Sequence, residues 1–152
     1  MTSRMQHALN TLLLTLGLFA AGNLCAQPAD EEVYSVVAEM PVFPGCEDLA
    51  ADYKEMKRCA DDQMLDFIYG SIVYPPEAKE AGVEGMAIIS FTIEADGRLT
   101  EPFIYRNPGA GTGEEALRVV KLMEDGALLW RPGYHEGKAV RVRFNLPVKF
   151  QL

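Results

Sequence analysis

The chain has 152 residues, 49% of them hydrophobic and 24% charged, with 22 acids against 14 Lys and Arg and a net charge of −8. That size and balance suit about one folded domain and exclude a disordered chain. The acidic excess repels phosphate backbones, so nucleic acid is not an expected partner.

The first 26 residues read as an export segment and not as part of the fold. A short lead with one base, Arg4, precedes the apolar run TLLLTLGLFAAGNLCA, and Leu24-Cys25-Ala26 forms a cleavage box before Gln27. The run contains Gly17, Gly22 and Asn23 and is short for a membrane span, though an uncleaved inner-membrane anchor is the alternative. A lipoprotein reading through Cys25 lacks the small residue that should precede the cysteine. The expected location is therefore periplasmic. Cys46 and Cys59 are then the only two thiols, and an even count in an exported chain reads as one disulfide, with two free cysteines as the alternative. Closing that loop would contribute roughly 3 kcal/mol.

Residues 27–73 form an acidic N-terminal extension. VYSVVA (33–38) has the β-branched and aromatic content of a short strand, and PVFPGC (41–46) is a loop. A helix capped by Asp61 or Asp62 is expected to run to about Ser71, with Met64, Leu65, Ile68 and Ile72 at helical spacing. From 74 to 152 a second unit follows. Tyr74-Pro75-Pro76 breaks the first helix, and Pro76–Ala81 reads as a short second one stopped by Gly82. MAIISFTIEA then alternates, with Ala87, Ile89, Phe91 and Ile93 on one face. Asp96-Gly97 suits a two-residue type I′ turn into LTEPFIYR, where Pro102 signals an edge strand or a bulge. Thr112 and Glu115 stand as a capping box for a third helix to about Glu124. The chain closes on AVRVRFNLPVKFQL, in which every even position from Val140 to Leu152 is apolar. The fold class expected is α+β: an antiparallel sheet of three to four strands with two or three helices on one face and water on the other.

Chemistry-bearing patterns are scarce. His135 has no nucleophile motif beside it, two cysteines and one histidine cannot complete a zinc site, and Gly109, Gly111 and Gly113 lack a phosphate-loop context. No enzyme activity, cofactor, metal or small-molecule substrate is expected. Trp130 reads as a core cover, with direct contact to a partner as the lesser alternative.

Several segments together resemble the TonB C-terminal domain family. They are Tyr74-Pro75-x-x-Ala78-x-x-x-Gly82-x-x-Gly85, Ile89-x-Phe91-x-Ile93-x-x-x-Gly97, Glu115-Ala116-Leu117-Arg118-Val119-Val120, Trp130-x-Pro132-Gly133, Gly137-Lys138-x-Val140 and Leu146-Pro147-Val148-x-Phe150. The stretch Met40-Pro41-x-Phe43-Pro44-Gly45-Cys46 is similar to a segment that precedes this domain in TonB-like proteins of the Bacteroidetes type. The resemblance implies a periplasmic module linked to TonB-dependent transport, which grips an extended N-terminal segment of an outer-membrane transporter by strand addition. Its peptide-binding edge would be the terminal strand at Val140, Arg141, Val142, Arg143, Phe144 and Asn145, with Tyr74 and Pro75 near the peptide. A structural or regulatory domain that pairs with itself or a companion subunit through the same edge is the alternative. The chain departs from a TonB motor protein in its spacer. About ten residues precede Met40 after the export segment, and their extended reach of roughly 35 Å is too short to link two membranes. Arg141, Arg143 and Lys149 are either a solvated face that deters stray edge pairing or an attraction for an acidic peptide. Residues 27–69 carry a net −8 and residues 70–152 a net −1. On that asymmetry, VYSVVA is placed beside the terminal strand, either completing the sheet or occupying the place of a partner.

Overall fold

The computed structural model describes residues 32–49, 52–126 and 128–152. The export segment 1–26, with Cys25, lies outside the described residues. The helical layer begins at Asp52, whose Oδ1 accepts hydrogen bonds from the N–H groups of Lys54 (2.9 Å) and Glu55 (3.2 Å) and so starts helix α1, Tyr53–Ser71. The helix therefore starts well before Asp61 and Asp62, and neither caps it; Asp61 instead pairs with Lys57 one turn back. The reason is that Met56 and Ala60 continue the buried stripe of Met64 and Ile68 toward the N-terminus, which outweighs the charge of the intervening positions. The Cys46–Cys59 disulfide ties the 41–46 loop to the middle of α1, across a Cα–Cα distance of 6.1 Å.

Helix α2, Pro76–Glu80, ends at Gly82 in left-handed geometry, and strand β2, Gly85–Ile93, follows. It turns back into strand β3, Leu99–Arg106. The turn is not of the two-residue kind. Glu94 N–H donates to Arg98 O and Gly97 N–H to Glu94 O, which closes a three-residue loop with Gly97 at φ +87°. Trp130 decides this. Its N–H donates to Gly97 O at 2.9 Å, and a Cβ on Gly97 would stand 2.2 Å from Trp130 O. Pro102 lies on an edge strand whose register to β2 is interrupted by irregularities, as a residue without an N–H requires.

Helix α3, Thr112–Asp125, has no capping box. Gly111 is its N-cap; Thr112 is buried and its hydroxyl donates to Gly109 O. Glu115 is drawn away to accept the Val73 N–H (2.7 Å) and to pair with Arg118. Asn107 performs the capping from outside the helix, its Oδ1 accepting the N–H of Gly113 at 3.0 Å and of Gly109 at 2.9 Å. The chain then forms strand β4, Gly133–His135, and strand β5, Lys138–Phe150.

Among the described residues the sheet is five-stranded and mixed, where three to four antiparallel strands were expected. β5 pairs antiparallel with β2 and with β4, β2 pairs antiparallel with β3, and strand β1, Val33–Tyr34, pairs parallel with β5. The order is β1-β5-β2-β3, with β4 joined to β5. A parallel neighbour needs a long crossover, and helices α1 and α2 with the hairpin supply it. VYSVVA is extended only over its first two residues, because Val37 turns in to be buried beside Gly133, and Glu39 and Val42 bridge to Tyr134 and Arg131.

One core serves the whole described chain. Ala87, Ile89, Phe91 and Ile93 of β2 and Leu146, Val148 and Phe150 of β5 meet the buried stripes of α1 and α3. Phe43, Trp130, Phe91 and Phe144 close one end as an aromatic cluster with ring centroids 5.3–5.8 Å apart. The opposite face of the sheet is only partly wet. Ser90 and Thr92 are buried there, next in register to Phe103 and Asn145 and to Arg143 and Thr100. Among the described residues no helix is long and apolar enough to cross a membrane.

Candidate interaction edge

β5 has thirteen residues but is flanked unevenly. On one side β2 pairs with it from Val142 to Phe150. On the other, β1 reaches only Arg141 and Val142, and from Arg143 to Lys149 no strand lies alongside among the described residues. The direction of the backbone groups follows from one bond. Lys149 N–H donates to Tyr69 Oη of α1 at 3.2 Å and so points away from β2. Successive residues of an antiparallel strand present their N–H and C=O groups to alternate sides, so Arg143, Asn145 and Pro147 face the same outward flank. Pro147 thus sits where its missing N–H removes nothing from the β2 ladder, which is why a long strand tolerates it.

Side chains along this edge divide by parity. Val142, Leu146, Val148 and Phe150 are buried, and Phe144 is half-buried against Phe91 and Trp130. Arg141, Arg143, Asn145 and Lys149 lie on the other face. Arg141 is held by Glu94, with Nε to Oε2 at 2.7 Å and a second bond at 3.2 Å, and Thr100 donates to the same carboxylate. Burial by itself would raise the Glu94 carboxyl, but the bonds from Arg141 and Thr100 outweigh it and hold the group below its ordinary value. Arg143 lies over the Phe103 ring at 5.7 Å and 4.0 Å from Glu101.

The residues singled out from the sequence fall into three groups. Val140 lies opposite Gly133 of β4, and Arg141 and Val142, beside β1, stand where the outward flank is already met by the chain itself. Arg143 and Asn145 lie on the open stretch, with Phe144 between them turned inward. Tyr74 and Pro75 are packing elements: the Tyr74 hydroxyl donates to Val83 O at 2.6 Å, its ring meets Phe150 edge-on, and Pro75 lies against Gly111. Trp130 is buried in the core, and the His135 ring meets that of Tyr34 at a tilt, with centroids 4.8 Å apart. Sequence reasoning missed Tyr69 and Glu94. Tyr69 lies on the exposed side of α1, where periodicity is silent; Glu94 continues the alternation of β2 onto the face that carries Arg141, a signal that was there to be read.

The fold is a mixed α+β layer with, among the described residues, an open strand edge on β5. Residues 71–152 match the family model described as the Gram-negative bacterial TonB protein C-terminal, and the chain belongs to that family. Its domains are interaction modules and not enzymes; they act in TonB-dependent transport, interact with outer-membrane transporters, and belong to periplasmic or membrane-anchored proteins. Two NMR solution structures of the Helicobacter pylori TonB C-terminal domain are similar to the chain. One, of residues 194–285, is 23% identical, covers 59% of this chain and 89% of that one, and has a TM-score of 0.41. The other, of residues 179–285, is 19% identical, covers 72% and 97%, and has a TM-score of 0.45. No curated protein matches.

Proposed function

We propose that this protein works in the periplasm and recognises an extended N-terminal segment of a TonB-dependent outer-membrane transporter by adding it as a strand to β5, along Arg143 to Val148. The observation that carries this is the outward row of backbone groups on that stretch, with no strand beside it among the described residues. An added strand gains main-chain hydrogen bonds there, while Arg143, Asn145 and Lys149 supply polar contacts on one side. The basic pair favours acidic residues in the guest.

The test is titration of transporter N-terminal peptides into the chain and into an Asn145→Pro variant. Asn145 faces outward at the same parity as Pro147, so the substitution removes an edge donor and leaves the β2 ladder whole. Saturable 1:1 binding that weakens at least about tenfold in the variant, with an unchanged circular dichroism spectrum, is the expected result. Equal binding by both chains would place the guest elsewhere. A concentration-dependent dimer with no response to peptide would show that the edge serves self-pairing.

A further inference from the structure

We infer that β1 is a built-in occupant of the interaction edge, which a long partner strand has to lift before it can seat. The inference rests on the strand-addition reading above and concerns how that edge is regulated. β1 lies on the outward flank of β5 and ends where the open stretch begins: Val33 and Tyr34 are in register with Arg141 and Val142. Beyond it the chain bends away, leaving Val36 79% exposed. At the far end the Tyr69 bond to Lys149 closes the edge. Between these two stops lie residues 143–148, a gap of about 20 Å that admits a strand of up to roughly six residues. A longer guest overruns the register of Tyr34 and Val33.

The clasp is small and its anchors are separate from it. Two residues pair, both only half-buried, and Tyr34 meets the His135 ring. A shallow cavity of about 200 Å³ beside the clasp is lined by Glu32, Tyr34, Ala139, Val140 and Arg141. The following segment is held independently. Val37 is buried beside Gly133, Glu39 pairs with Arg131 at 2.7 Å and exchanges backbone bonds with Tyr134, and Val42 exchanges backbone bonds with Arg131 at 3.0 and 2.9 Å. β1 can therefore leave the edge at Ser35 without unpacking the core. Releasing it removes the fraction of time the edge is closed, and apparent affinity for a long guest rises by that factor.

The experiment uses the full chain and a Tyr34→Pro variant. Odd-numbered residues of β5 face β1, so the parallel register makes Tyr34 N–H the donor toward Arg141, and proline removes it. The first probe is a labelled synthetic peptide of this chain's own residues 32–37, EVYSVV. It should bind the variant at least about tenfold more tightly than the unaltered chain, and transporter peptides longer than six residues should gain similarly while five-residue ones gain little. Equal affinity of both chains for EVYSVV overturns the inference. Where Tyr34→Pro fails to give a native near-UV spectrum, Tyr34→Ala, which removes the ring contact and keeps the N–H, should show a gain of about two- to fivefold, and no gain there is equally fatal. The two readings separate cleanly. Transporter peptides that bind both chains equally at every length sink the occupant and leave the edge. Binding of EVYSVV to the variant without binding of any transporter peptide sinks the transporter reading and leaves the occupant.

Discussion

Gly97 is the residue at which hairpin and core are joined. It combines a φ of +87° with a backbone carbonyl 2.2 Å from where a Cβ would stand. Gly137 shares the positive φ, at +76°, but has open space around it. Urea unfolding should therefore show Gly97→Ala costing about 2–4 kcal/mol and Gly137→Ala only about 1–2 kcal/mol. Glu94 makes a second prediction at this scale. Its folded pKa is depressed, so the folded protein binds the proton less readily than the unfolded chain. The stabilisation is present above the unfolded value, about 4.3, and is lost as pH falls through the lower folded one. Stability measured by thermal melts should decline more gently below about pH 4.3 in Glu94→Gln than in the unaltered chain. The atomic pairing at this site was not to be had from pattern. That Arg141 and Glu94 share a face follows from alternation, but their meeting depends on β2 and β5 being neighbours.

Helix α1 shows how an element can be longer than its sequence signals suggest. Asp52 is the working cap, and Asp52→Ala should lower stability by about 1 kcal/mol, read as a shift in the urea midpoint. Substitution of Asp62, which is exposed and stands within the helix, should change little. The apolar positions at 56, 60, 64 and 68 recur every four residues, so the periodicity for the full helix was present. Charged neighbours and the cysteine within the helix masked it. In α3 the reverse happened: a capping box stood in the sequence, yet Gly111 and Asn107 do the capping, because Glu115 reaches across to Val73 and Arg118. Local motifs lose to tertiary partners when one side chain can satisfy a more distant donor.

At the scale of the molecule, the disulfide ties the loop of the acidic extension to that extension's own helix α1, which packs into the common core. Cys46 is buried, its partner is on α1, and the enclosed chain spans a sequence separation of 13. Reduction should lower unfolding free energy by about 3 kcal/mol, measured by urea titration with and without dithiothreitol, with the α-helical signal retained before the transition. The α+β class, the hairpin and the inward faces of β2 and β5 were readable in order along the chain, because hydrophobic periodicity and turn residues are local properties, and the family was readable from the resemblance of its motifs. The place of Pro147 could be guessed as an edge, but not which edge. Whether a strand is an edge depends on its neighbours, and those come from far away: β2 lies about fifty residues before its pairing with β5, and β1 about a hundred. Periodicity reports the face a residue turns to the core, whereas the in-plane direction of its N–H is set by which strands arrive beside it. Only the assembled sheet could decide that, among the described residues, Arg143 to Val148 have no strand beside them while Arg141 and Val142 are met by the chain's own Val33 and Tyr34.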